Sequence, residues 1–162
     1  MKCLLCGKSL QTEITFTNLL CFKKEEEIVC ESCISSFESI GGNHCPTCFK
    51  KGMSIICQDC QFWCKKGVKV DHVALYSYNQ AMKEYFSRYK FDGDYLLRKV
   101  FSEILQKELK KYKNYQIVIV PLSDQRLKSR GFNQVEGLIK DTGLAYLDIL
   151  VKKEVEASSS KN

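Results

Sequence analysis

The run Ile117-Val118-Ile119-Val120-Pro121-Leu122-Ser123-Asp124-Gln125-Arg126-Leu127-Lys128-Ser129-Arg130-Gly131-Phe132-Asn133-Gln134 carries the reading of the fold. Its first four residues are continuous, apolar and β-branched, as a strand covered on both faces should be. Pro121 lacks the donor needed to continue a ladder, so the strand stops there. A polar loop through Arg130 leads to a helix start, where Asn133 and Glu136 stand three apart in a capping-box-like arrangement ahead of Val135, Leu138 and Ile139. Gly143 supplies a stop, and Tyr146 to Val151 reads as another short strand. Strand, helix and strand in this order favour a parallel sheet, so the fold class is α/β.

Upstream, Val70 to Tyr78 alternates like a strand, and Gln80 to Lys90 changes period, placing Met82, Tyr85, Phe86 and Tyr89 at helical spacing. Phe91-Asp92-Gly93-Asp94 is a turn signal, with Asp94 able to cap the next helix, about Tyr95 to Tyr112. Leu96, Leu97, Val100, Phe101, Ile104, Leu105 and Leu109 form its apolar face.

The composition, 44% hydrophobic and 27% charged over 162 residues, is globular and excludes a disordered, collagen-like or coiled-coil chain. No apolar run reaches the roughly 20 residues needed to cross a bilayer, and the start lacks a secretory signal, so the chain is expected in the cytoplasm without membrane insertion. All ten cysteines lie between Cys3 and Cys64. Charge divides at the same place: residues 1–64 carry 6 basic and 7 acidic groups, net −1, and residues 65–162 carry 19 basic and 12 acidic, net +7. This sets a domain boundary, 1–64 against 65–162, with residues 152–162 a flexible tail.

Cysteines in a reducing compartment point to metal sooner than to disulfides. Four C-x-x-C pairs occur: Cys3/Cys6, Cys30/Cys33, Cys45/Cys48 and Cys57/Cys60. Two intervening residues let one knuckle present both thiolates to an ion, and two knuckles complete a tetrahedral zinc site. Eight ligands make two sites, structural because four thiolates leave no position for water. Pairing along the chain gives two successive ribbons; an interleaved cross-brace is the alternative. A redox motif would be single and sit at a helix start after a strand. Cys21 and Cys64 read as small hydrophobes, His44 as a surface loop residue, and His72 as a strand residue without a partner. The loop between strand and helix lies where open α/β sheets bind ligands, and Arg126, Lys128 and Arg130 suit a phosphate or pyrophosphate. The alternative is a solvated basic loop.

The cysteine pairs, then Tyr78 with Lys90-Phe91-Asp92-Gly93, then Pro121-Leu122-Ser123 with Arg126 and Arg130-Gly131-Phe132-Asn133-Gln134, resemble the ComF/ComFC (GntX-like) competence family along essentially the whole chain. The resemblance implies an N-terminal double zinc ribbon, each ion held by four cysteines, followed by a type I phosphoribosyltransferase-like, Rossmann-like parallel-sheet domain. It implies service in the uptake of transforming DNA, with single-stranded DNA and a helicase-like ATPase as partners. Ser123, Arg126, Lys128, Arg130 and Gly131 would form the pyrophosphate loop, with Mg(II) entering only if phosphoribosyl pyrophosphate binds. Ile119 stands where the family often has a proline.

Type I phosphoribosyltransferases also carry a strand ending in two adjacent acids followed by a Thr- and Gly-rich phosphate loop. Here the only adjacent acids are Glu25-Glu26-Glu27, and Asp141-Thr142-Gly143 ends a helix. The expectation is an incomplete, C-terminally truncated domain without activity and without assigned catalytic residues. A second reading is a non-catalytic zinc protein that binds single-stranded nucleic acid or adapts a helicase, motivated by Tyr76, Tyr78, Tyr85, Phe86, Tyr89 and Phe91 among the lysines of the +7 segment. Helical spacing places Tyr85, Phe86 and Tyr89 in the core.

Overall fold

Gln80–Phe91 forms the longest helix among the described residues, and its apolar period explains why. Met82, Tyr85 and Tyr89 are buried along one stripe, with Phe86 beside them half-buried. The start is fixed by Asn79, whose Oδ1 accepts the Met82 N–H at 3.0 Å, and the turn after Phe91 carries Gly93 at φ 72°. A computed structural model describes residues 1–10 and 27–152. Cys21 and Lys153 to Asn162 lie outside the described residues, so the readings of Cys21 and of nearly all the tail do too. The helices are numbered α1 (Glu31–Ile34), α2 (Gln58–Lys65), α3 (Gln80–Phe91), α4 (Ser102–Leu109), α5 (Asp124–Arg130) and α6 (Gln134–Lys140). The chain divides into two compact units, Met1–Val29 with Tyr85–Asn162, and Cys30–Glu84.

In the first unit the core is largely aromatic. Tyr85 meets Phe101 edge-on at 4.9 Å, and Phe132 lies 5.2 Å from Tyr89 and 4.9 Å from Tyr95. The two buried phenols have carbonyl partners: Tyr85 donates to the Leu97 oxygen and Tyr89 to the Gln134 oxygen, each at 3.1 Å. The single helix expected from Tyr95 to Tyr112 is a 3₁₀ segment (Tyr95–Phe101), then α4, then a short 3₁₀ turn (Lys110–Tyr112). The tighter first segment buries Leu97, Val100 and Phe101 but turns Leu96 out to solvent. Asp94 does not cap it, because its carboxylate accepts from Arg88 Nη2 at 2.7 Å.

Ile117 to Ile119 runs parallel to Leu147. The Ile119 N–H donates to the Leu147 oxygen at 3.1 Å, and the Leu147 N–H donates to the Ile117 oxygen at 2.9 Å. This is the pairing a β-α-β unit makes, reduced to one bridge between Val118 and Leu147. A Rossmann-like sheet is not displayed among the described residues. Nor is the strand covered on both faces: Ile119 is buried, whereas Val118 and Val120 are 37% and 64% exposed, an alternation that marks one covered side.

The polar stretch after Pro121 is helix α5 rather than loop. Ser123 takes the extended conformation of an N-cap and Asp124 opens the first turn. Lys128 and Arg130 fill the last turn, and Gly131 closes the helix at φ 80°. Asn133 caps α6 by accepting the Val135 N–H at 2.9 Å, but Glu136 does not complete a capping box; its carboxylate accepts from the Tyr146 hydroxyl at 3.0 Å.

In the second unit, Val70 to Tyr78 is irregular except for one antiparallel bridge, Ser39 to Tyr76. Its backbone meets only short neighbours among the described residues: the Glu38 oxygen accepts from Ser77 N–H, Ile40 N–H donates to the Leu75 oxygen, and His72 N–H donates to the Thr47 oxygen. A strand pattern without a longer partner builds no ladder.

Candidate metal centres and a basic cleft

The cysteine pairs assemble in chain order. Cys3, Cys6, Cys30 and Cys33 form one group, and Cys45, Cys48, Cys57 and Cys60 another, with the sulfurs of each group within 4.8 Å of one another. The interleaved alternative is thereby excluded. Two knuckles share one local design: Gly7 N–H donates to the Cys3 oxygen at 2.9 Å, and Phe49 N–H to the Cys45 oxygen at 3.0 Å. The residue after the second cysteine takes a left-handed conformation in both, Gly7 at φ 72° and Phe49 at φ 61°. Phe49 bears this conformation while stacked on His44, ring centroids 3.9 Å apart.

A zinc–tetrathiolate tetrahedron with bonds of about 2.3 Å has sulfur–sulfur edges of about 3.8 Å. Cys48 and Cys57 stand 3.7 Å apart and Cys45 and Cys60 4.0 Å apart, so the second group fits that ion. Proton balance agrees. Burial alone would raise the Cys45 thiol, but the Thr47 hydroxyl and the backbone amides of Cys57, Thr47 and Cys48 favour its thiolate and pull it to about 5. For Cys60, Thr47 also favours the thiolate, yet burial and the neighbouring Cys48, Cys57 and Cys45 prevail and push it up to about 12. The Lys50 amide favours the Cys48 thiolate, but burial together with Cys57 and Cys45 leaves this thiol raised too. Four sulfurs this close do not all ionise until a cation joins them.

The first knuckle has a separate brace. Arg88 Nη1 donates to the Leu5 oxygen at 2.8 Å and Nη2 to the Leu4 oxygen at 3.0 Å, the two carbonyls between Cys3 and Cys6. Cys64 is exposed near the C-terminal end of α2 rather than packed as a small hydrophobe. His44 is half-buried against Phe49, and His72 has a partner after all: its Nδ1 lies 3.1 Å from the Cys48 oxygen.

A cleft of about 470 Å³ opens beside α5, lined by Lys90, Phe91, Leu122, Arg126, Ser129, Arg130 and Gln134. Of the residues singled out by sequence, it takes in Arg126 and Arg130. Ser123, Lys128 and Gly131 are not in its lining, because α5 carries them round to other sides. Lys90 and Phe91 come from the end of α3, where the sequence already placed a helix end and an aromatic among lysines, but nothing in the sequence brought them to the basic stretch. Arg130 is fixed by donating from Nε to the Lys90 oxygen at 3.0 Å and from Nη1 to Gln134 Oε1, with its guanidinium 5.8 Å from the exposed Phe91 ring. Partial burial, reinforced by the Arg130 charge, lowers the Lys90 pKa below the ordinary lysine value. Three basic residues thus line one open space, with the Lys90 ammonium 4.2 Å from the Phe86 ring centre.

The described residues thus combine two cysteine tetrads that could each hold a metal ion with a basic cleft beside one parallel bridge. The chain belongs to the competence protein ComFC family. It is 58% identical over 162 residues to the Competence protein ComFC of Streptococcus pneumoniae (strain ATCC BAA-255 / R6), covering 100% of this chain and 74% of that protein. It is 34% identical over 167 residues to the Competence protein ComFC of Bacillus subtilis (strain 168), covering 98% of this chain and 69% of that one. No protein-family model matches the chain, and no solved structure matches it significantly. Its function is competence-related. No helix among the described residues is long and apolar enough to cross a membrane.

Proposed function

We propose that the protein handles single-stranded DNA during uptake in competence, in the cytoplasm, with a zinc ion in each cysteine tetrad and DNA phosphates in the Lys90, Arg126 and Arg130 cleft. The observation that carries this is that Lys90, Arg126 and Arg130 line one open cleft together with Phe91, which is 77% exposed. Phosphates meet cations and a base meets an aromatic face, the combination that holds single strands without sequence preference. The zinc ions are structural: they hold knuckles that have little apolar core of their own. The tetrads also present a surface for a helicase-like ATPase partner.

The test is oligonucleotide binding followed by anisotropy across a salt series. Binding should weaken steeply with salt, and the Arg126→Gln, Lys90→Gln double variant should flatten the slope by about two phosphate contacts. A slope unchanged by the double variant refutes the cleft as the phosphate seat.

A phosphoribosyltransferase-like reading of the same cleft has one observation in its favour, the parallel pairing of Ile117 to Ile119 with Leu147 just before it. It makes pyrophosphate the ligand of Arg126 and Arg130, with Mg(II) arriving on phosphoribosyl pyrophosphate. These 162 residues have no acidic-pair strand followed by a Thr- and Gly-rich loop to hold the ribose phosphate. Calorimetry with phosphoribosyl pyrophosphate and Mg(II) should therefore give no specific heat, and Mg-dependent micromolar binding would refute that expectation.

A further inference from the structure

Helix α2 begins at one metal ligand, Cys57, contains a second, Cys60, and ends on Phe62-Trp63-Cys64-Lys65. The chelated end is buried. The far end is not: Phe62 is 51% and Trp63 46% exposed, with the two rings edge to face at 5.5 Å. Ile55, Ile56 and Val68 are also exposed in this unit. An aromatic pair held half in water contributes little to the fold, and a helix pinned to a metal tetrad cannot fold it away. Residues 61–70 contain Lys65, Lys66 and Lys69 and no acid. The one acid of the helix, Asp59, is paired with Lys50 at 3.0 Å. The Lys66 ammonium lies 4.5 Å from the Phe62 ring centre and 6.0 Å from that of Trp63.

We infer that this face is a second docking site for single-stranded nucleic acid, in which bases stack on Trp63 and Phe62 and the phosphates beside them are taken by Lys65, Lys66 and Lys69. The inference rests on the proposed handling of single-stranded DNA and extends it to a surface separate from the cleft. Charge complementarity selects an anion. Two adjacent ring faces then select bases, since an acidic peptide would use the lysines and leave the rings idle. The position of Lys66 separates nucleic acid from a lipid surface. Its ammonium stays over the rings, where the phosphate of a stacked nucleotide comes, whereas at a bilayer it would reach away from the apolar side chains to the headgroups.

Trp63 is the only tryptophan of the chain, so its fluorescence reports on this face alone. The full zinc-loaded chain is titrated with oligothymidylate at low salt, reading Trp63 emission and the anisotropy of a labelled oligonucleotide together. Emission should be quenched in step with binding. Trp63→Ala should weaken binding at least about fivefold, and Trp63→Phe should recover most of it, since stacking on one aromatic is worth about 1–3 kcal/mol, or roughly 5- to 140-fold. Retention of metal by Trp63→Ala, measured by elemental analysis, shows that the variant is folded. Binding by anisotropy with unquenched Trp63, and with unchanged affinity in Trp63→Ala and Phe62→Ala, overturns the inference and leaves the cleft reading standing. Absence of oligonucleotide binding on both channels overturns both. Quenching by anionic phospholipid vesicles or by polyglutamate, with none by oligothymidylate, also overturns the inference.

Discussion

Replacing Gly137 with alanine isolates one contact that the first unit cannot accommodate. A Cβ built on Gly137 would stand 2.3 Å from the Tyr89 hydroxyl oxygen and 3.2 Å from Tyr95 Cε2. Tyr89 has no room to yield: it is wholly buried, its ring lies 5.2 Å from Phe132 and 5.8 Å from Tyr85, and its hydroxyl donates to the Gln134 oxygen. Gly137 is inside helix α6, so alanine gains about 1 kcal/mol of helix propensity. Against this stand overpacking at about 1–3 kcal/mol and a displaced, unpaired phenol at about 1–3 kcal/mol. The net expectation is destabilisation of about 1–5 kcal/mol. With a urea m-value of about 2 kcal/mol/M, the midpoint should fall by about 0.5–2.5 M at unchanged slope. Tyr89→Phe supplies the decisive control. It removes the clashing oxygen, leaves the nearest phenyl carbon 3.6 Å away, and should make Gly137→Ala close to neutral in that background. The assay is urea unfolding of the zinc-loaded chain by circular dichroism for the four members of the cycle. If Gly137→Ala costs the same with Tyr89 or Phe at position 89, or costs nothing in either, the steric argument fails.

Elemental analysis should find two zinc ions per chain, unchanged in Cys64→Ser because Cys64 is exposed and stands outside both tetrads, and reduced to one in Cys48→Ser. Zinc binding at the second tetrad should release at least two protons near neutral pH, because Cys60 and Cys48 both titrate above their ordinary value without metal; calorimetry in buffers of differing ionisation enthalpy measures this. Arg88→Ala should loosen the first knuckle, giving faster zinc loss to a chelator from one of the two sites and leaving the other unaffected. Anion affinity at the cleft should fall as pH rises through the lowered Lys90 pKa, since only protonated Lys90 attracts the anion. The fall therefore begins below the usual lysine range, and Lys90→Gln should remove it.

The two cysteine tetrads were legible almost in full because a C-x-x-C spacing is a covalent constraint: it brings two sulfurs three residues apart onto one knuckle whatever surrounds them. What the spacing left open was pairing, which depends on where the backbone between knuckles travels. Helix α3 was legible too, since Met82, Tyr85 and Tyr89 repeat at the helical period. Helix α5 was not. Its residues, Asp124 to Arg130, include a single aliphatic side chain, so no apolar period announces it. Its signals are the Ser123 N-cap, the charge gradient from Asp124 to Arg130, and the Gly131 stop. Those signals were present in the sequence, and the turn-like composition masked them. The Val70 to Tyr78 alternation misled for the opposite reason: a period of two states which side chains share a face, but a strand also needs a partner of equal length.

That α5 is a helix alters what the basic stretch can do. As a loop, Ser123, Arg126, Lys128, Arg130 and Gly131 could all have closed on one pyrophosphate. On a helix, successive residues are about 100° apart, so Arg126 and Arg130, one turn from each other, share a face while Lys128 points elsewhere. The cleft therefore recruits its third cation from Lys90 of α3, and the Arg130 bond to the Lys90 carbonyl makes that recruitment structural. Two arginines on one helix face and a lysine on another helix form a seat wider than a single knotted loop would give, open on one side to the exposed Phe91 ring. A compact pyrophosphate leaves that ring without a role. On the proposed reading, a phosphate with a base attached would use both the cations and the ring, which is why that reading takes a nucleotide within a strand over a free diphosphate.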